Sequence, residues 1–171
     1  MLRLVKAFWD LAVWRMSPAQ LPASVLLLSM ISAVLVVLEL LDSLLPSPTG
    51  DHLFIRILLS VALPIAWTWI VLVVARHRHR FLQTASALLG IAAIAEAFFY
   101  PLGWLMQAIG KDDPISDPFK FLFLVGVVWY LLACANVWRA ALDSRLSVGV
   151  VMSLAYFCGS VLLEYRLLPE T

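Results

Sequence analysis

Five apolar runs, each long enough to cross a lipid bilayer as a helix, follow one another with only short polar connections between them. The hydrocarbon core of a bilayer is about 30 Å thick and takes roughly 20 helical residues to cross. Residues 22–45, 53–75, 81–105, 118–138 and 146–168 meet that length. Inside hydrocarbon every backbone N–H and C=O must be satisfied within the protein, which leaves helices and closed barrels. The runs are continuous rather than alternating, so they predict helices. The expected fold class is all-α: a polytopic membrane helical bundle of five transmembrane helices, forming one domain over residues 1–171.

The connections "PSPTGDH", "RHRHR", "GKDDPISDP" and "RAALDSR" hold most of the charges and turn-forming residues outside the N-terminal segment. Links this short make consecutive helices antiparallel neighbours. Composition agrees: 63% of residues are apolar and 13% charged, against roughly 45–50% and about 25% in soluble domains. A net charge of +1 offers no strongly basic face for nucleic acid. The expected partners are membrane lipids and other membrane proteins, or further copies of the chain.

Lys and Arg counts orient the bundle. One side carries Arg3, Lys6, Arg15, Arg76, Arg78, Arg80, Arg139 and Arg145, the other only Arg56, Lys111, Lys120 and Arg166. The expected topology is therefore N-in/C-out. Residues 1–16, "MLRLVKAFWDLAVWRM", are too short and too charged to span. Arg3, Lys6 and Asp10 fall within roughly 60° on a helical wheel, with Leu2, Val5, Phe8, Trp9, Ala12 and Met16 opposite. That pattern predicts an interfacial amphipathic helix on the cytoplasmic leaflet. Trp9, Trp14 and Trp138 would form an inner aromatic belt, and Tyr100 and Trp104 an outer one. The apolar run after Pro22 is too long for a signal-peptide core, so the N-terminal segment is expected to remain in the mature chain.

Each span has a face of small or polar residues, the kind through which membrane helices approach one another. Cys134 and Cys158 sit at different depths and read as small buried hydrophobes rather than a disulfide. Pro64 and Pro101 would kink the second and third spans.

The acids separate by depth. Asp42 and Arg56 each lie about 5 Å from the outer end of their spans, across a short hairpin, and should form an ion pair. Glu164 is similarly shallow, with Lys120 and Arg166 as expected partners. Glu39 and Glu96 lie roughly 10–12 Å deep, at matched height on two parallel helices. An ionised acid at that depth costs several kcal/mol unless it is paired or hydrated, which marks the pair as a functional candidate (about 3 kcal/mol on insertion scales). Two readings stand. In one, Glu39, Glu96, Arg56 and Tyr100 border an outward-facing polar cavity for a proton, a cation or a lipid headgroup. In the other, the acids form a neutral or Arg56-paired interhelical hydrogen bond.

"ARHRHRF", residues 75–81, supplies two histidines, His77 and His79, too few for a metal site, and no metal or other cofactor is expected. Its Arg76, Arg78 and Arg80, with Arg3 and Lys6, are expected to touch anionic lipid headgroups. No nucleophile motif, HExxH, Walker loop or CxxC is present, so enzymatic activity is not expected.

The Pro-containing approach "FWDLAVWRMSPAQLP", followed by five close-packed spans, resembles the Yip family of five-span membrane proteins. The likeness in layout runs from about residue 8 to the end, while the acidic Rab-binding region of eukaryotic members has no counterpart. It implies a non-enzymatic scaffold or assembly partner in a membrane complex. The alternative is a small permease or lipid-handling protein built around Glu39 and Glu96. The excess of Arg over Lys and the minimal loops point to a prokaryotic inner membrane.

Overall fold

The computed structural model describes residues 2–43, 53–110 and 114–167. Six helices account for nearly all of them: α1 (Leu2–Ala12), α2 (Val25–Ser43), α3 (Leu53–Val74), α4 (Phe81–Ile109), α5 (Asp117–Ala141) and α6 (Leu146–Leu167). No strand occurs among the described residues. Helices α2 to α6 are long and apolar enough to cross a membrane, and the chain is an integral membrane protein.

Local chemistry sets the helix ends. Before α2, the stretch from Pro22 to Ser24 is not helical, and Ser24 Oγ accepts from the Leu27 N–H at 3.4 Å, satisfying one of the unpaired first-turn donors. Helix α4 runs a turn beyond the expected residue 105 and stops at Gly110, whose φ of 95° suits glycine. At the opposite end of the bundle, α1, α3 and α5 terminate alike. Trp14, Arg76 and Asp143 take positive φ. The next residues close back onto the last turn, Arg15 to the Asp10 carbonyl at 2.7 Å, His77 to Leu72 at 2.8 Å and Ser144 to Arg139 at 3.0 Å. Each bond spans five residues, the wide closure of a Schellman turn.

Helix α4 is the central element. It packs against α1, α2, α3 and α5, and its first half is continuously buried from Thr84 to Ile91. Ala85, Ser86, Ala87 and Gly90 keep that stretch thin enough for neighbours to approach closely. Half of the apolar stretch of α4 is buried (50%), against 11% of that of α6, which leans mainly on α5. The α5–α6 contact is tight because Gly149 has no side chain: a Cβ there would lie 2.1 Å from the Ala135 carbonyl oxygen.

Several expectations are corrected. The N-terminal helix is amphipathic, as expected, but ends at Ala12 rather than residue 16, and its apolar face packs on the bundle: Phe8, Leu11 and Ala12 are buried. Phe8 packs over Gly90, where an added Cβ would come within 2.3 Å of its ring. Trp138 is 2% exposed and belongs to the core rather than an aromatic belt, whereas Trp9, Trp14 and Trp104 are exposed. The first span begins at Val25 instead of residue 22, the second ends at Val74, and the fourth covers Asp117–Ala141. Asp51, His52, Lys111, Asp112, Asp113 and the Arg3 side chain lie outside the described residues. Both cysteines are free, Cys134 buried and Cys158 exposed.

Candidate functional site

Along α2 the buried positions are Leu27, Ile31, Leu35 and Glu39, a ladder of one residue every four. Glu39 therefore continues the face that packs against α4, and only 5% of it is exposed. Asp42, three residues on, lies beside it. Both acids meet Arg56 of α3. Arg56 Nη2 donates to Asp42 Oδ2 and lies 3.2 Å from Glu39 Oε2. The Glu39 oxygen accepts no well-aligned hydrogen bond, so that contact is an attraction between charges rather than a hydrogen bond. The expected Asp42–Arg56 pair is present, and the same guanidinium holds Glu39.

Arg56 is positioned by an irregular helix. Residues Leu58–Ala62 form a π turn, with Leu63 N–H bonding back to Leu58, immediately before Pro64. Proline has no N–H to donate and crowds the carbonyl one turn earlier. A π turn absorbs the mismatch, and such turns are frequent at functional sites. Ser60 lies within it and faces the interior space described next.

A cleft of about 360 Å³ opens between α3, α4, α5 and α6, with the end of α2 at its edge. Glu39, Arg56, Ser60, Glu96, Tyr100, Ser160 and Glu164 supply its polar wall. Phe99, Phe123, Tyr130, Tyr156 and Phe157 supply an aromatic one. Glu96 and Tyr100 are one turn apart on the same face of α4. Glu96 Oε2 is buried without a hydrogen-bond partner. The four residues expected to border a common cavity, Glu39, Glu96, Arg56 and Tyr100, do so.

Glu164 departs from expectation. Lys120 pairs with Asp117 at 2.8 Å, and neither Lys120 nor Arg166 forms an ion pair with Glu164 among the described residues. Its carboxylate borders the cleft. The cleft thus brings together Glu39, Glu96 and Glu164, and among the described residues Arg56, paired with Glu39 and Asp42, is the one arginine that lines it. Cations are attracted to aromatic rings, so this combination of acids and aromatic side chains suits an organic cation. No group of three His, Cys, Asp or Glu is placed to hold a metal ion among the described residues.

No family model matches the chain, and no curated protein or solved structure matches it either. The site is therefore read from its own chemistry.

The opposite end presents a different cluster. Arg80, expected at the lipid surface, is engaged within the protein: it donates to the carbonyls of Ala140 and Ala141 at 3.0 and 3.3 Å and pairs with Asp143 at 2.8 Å. It caps the C-terminus of α5, where a cation complements the helix dipole. The hydrogen bond from Arg80 holds the Asp143 carboxyl below the usual carboxylate range. His77 Nε2 approaches Asp143 at 3.8 Å. Arg76, Arg78 and Lys6 remain exposed. Gln83 ties the segment before α2 to α4, donating to the carbonyls of Ala19 and Leu21 at 3.3 and 2.9 Å.

Trp67 and Tyr130 line the interior without having been singled out from sequence. Each places a polar edge in the middle of a span, a signal that their bulk and apolarity conceal.

Proposed function

We propose that the protein is a small, non-enzymatic permease or lipid-handling protein of a prokaryotic inner membrane, which binds an amine or quaternary ammonium group in the outward-facing cleft. The observation that carries this reading is the charge balance of the cleft: Glu39, Glu96 and Glu164 converge on an aromatic-walled space of about 360 Å³ that contains one arginine. Binding of a cation there would offset buried negative charge, which is otherwise costly. The exposed Arg76, Arg78 and Lys6 at the opposite end suit contact with anionic lipid headgroups on the cytoplasmic leaflet.

The test is ligand-dependent thermal stabilisation of the purified chain in nanodiscs, with ethanolamine and choline as probes and sodium as control. Stabilisation by an amine, lost in the Glu39→Gln, Glu96→Gln double variant with helical content retained, is the expected result. Equal response of the double variant, or no response to any amine, sinks the proposal.

A second reading, the scaffold suggested by the Yip-like layout, is favoured by α6. Only 11% of its apolar stretch is buried, and Gly159 faces open space. A stoichiometric membrane partner retained in mild detergent and released by Gly159→Leu would support assembly through this helix; retention of the partner by that variant would count against it.

A further inference from the structure

A second, smaller cavity of about 90 Å³ lies deeper between α3, α4, α5 and α6. Ser60, Glu96, Tyr130 and Tyr156 line it and the cleft alike, so the two spaces adjoin at Glu96. Trp67 Nε1, Ser153 Oγ and Glu96 Oε2, all from lining residues, are buried and have no hydrogen-bond partner among the described residues. Ser153 is 2% exposed. Buried polar groups in native proteins are almost always paired, and polar cavities supply the missing partners as ordered water. One water requires roughly 10–15 Å³ of such space, so the pocket has volume for several.

The helical register sets its reach. Ser153 lies about 16 Å along α6 from Glu164 at the cleft, and about 10 Å from the other end of the helix at Leu146. Trp138, which lines the pocket and is about 5 Å from the end of α5, and Leu88 wall the space toward that end. Trp138, Leu88 and the fully buried Leu72 belong to one hydrophobic cluster. The polar space is thus continuous with one side of the membrane protein and walled off from the other.

We propose that the deep pocket holds a water cluster that hydrates the Glu96 carboxylate, and that Glu96 exchanges its proton with the cleft side alone. In the uptake step a hydronium in the cleft breaks one O–H bond, an O–H bond forms on the Glu96 carboxylate, and neutral water remains. The site gains one positive charge. Glu39 and Asp42 from α2 and Arg56 from α3 face Glu96, with Tyr100 on its own helix, Tyr130 and Cys134 from α5, and Tyr156 and Glu164 from α6. Arg56 is engaged by Glu39 and Asp42, whereas Glu96 has no ion pair among the described residues and turns an unpartnered oxygen into the interior. Proton uptake at Glu96 would compete with the amine of the proposed function, but the water-linked site requires no ligand.

The experiment is infrared difference spectroscopy on the full chain in nanodiscs, between acidic and alkaline buffer and without amine. A protonated-carboxyl band that Glu96→Gln removes and Glu164→Gln retains is expected. That band should move to higher frequency in Ser153→Val, which displaces water from the pocket and leaves the carboxyl with fewer hydrogen bonds. A spectrum in which Glu96→Gln removes no carboxyl band, or an unchanged band frequency in a folded Ser153→Val, overturns the proposal. Difference spectra of the unsubstituted protein in water enriched in oxygen-18 are a check that no folding defect can confuse: isotope-shifted bands of internal water should accompany protonation of Glu96, and their absence refutes the water cluster. Because no amine is present, these outcomes are independent of whether the amine site exists.

Discussion

Arg56 and Arg80 each bind a carboxylate, at opposite ends of the bundle, and the two clusters behave as different chemistry because of where they sit. The side chains of Arg56, Glu39 and Asp42 are 15%, 6% and 19% exposed, and the arginine's partners are charges on a neighbouring helix. Arg80 and Asp143 are 31% and 65% exposed, and Arg80 also donates to two backbone carbonyls that any chain folded this way presents. Breaking a buried pair strands a charge that has lost its water, whereas breaking an exposed pair returns both groups to solvent. The first cluster should therefore govern stability and binding together. The second should act as a helix cap whose carboxylate is dispensable.

The largest effect expected from this contrast is that of Arg56→Met. It leaves Glu39 and Asp42 without their cation, and the cost should approach 3 kcal/mol, the low end for a broken buried pair because solvent reaches Asp42. Thermal and denaturant unfolding in detergent measure it. Adding Glu39→Gln to Arg56→Met should recover part of the loss, since the deepest stranded charge is then gone. If the double variant is as unstable as the sum of the two single ones, Glu39 is not coupled to Arg56 and the contrast fails. Glu39→Gln alone should cost less, about 1 kcal/mol, because Arg56 keeps its hydrogen bond to Asp42. It should nonetheless weaken amine binding in the cleft.

The legibility of these two clusters in sequence differs for the same physical reason. Depth along a helix follows from counting residues, so the Asp42–Arg56 pair and the shared space between Glu39 and Glu96 are readable from span ends alone. Membership of the buried ladder Leu27, Ile31, Leu35 and Glu39 is readable by the same count. What counting misses is set by packing between distant segments. In an apolar helix the lipid face and the protein face have similar composition, so nothing local marks Trp138 as core or Trp67 as cavity wall. Nor does the charge pattern of residues 1–16 reveal that Phe8 finds the gap over Gly90. Arg80 looks like its neighbours Arg76 and Arg78 until the end of α5 is placed beside it.

At the opposite end, Arg80→Met tests the cap apart from the charge pair. Two carbonyls at the end of α5 lose a charged donor, and the loss should be on the order of 1.5 kcal/mol, smaller than that of Arg56→Met. Hydrogen exchange resolves it further. Amides in the last turn of α5 should exchange faster, while those around Glu39 are unchanged.

Asp143→Asn should have the smallest effect, and its pH dependence carries the information. Asp143 is held below the usual carboxylate range by its hydrogen bond from Arg80, with the charges of Arg80, His77 and His79 adding in the same direction. A depressed folded-state pKa contributes stability that is present above the unfolded value, about 3.9 for an aspartate, and is lost as pH falls through the folded value. At neutral pH the unsubstituted chain should unfold slightly above the Asn variant, and the two melting curves should converge only at acid pH below that unfolded value. Salt provides the second axis. Because Asp143 is exposed, its contribution should fade at high ionic strength, while the penalty of Arg56→Met should persist. A neutral-pH difference for Asp143→Asn that survives molar salt would mean that this carboxylate is as shielded as Glu39, and the distinction between the two ends would collapse.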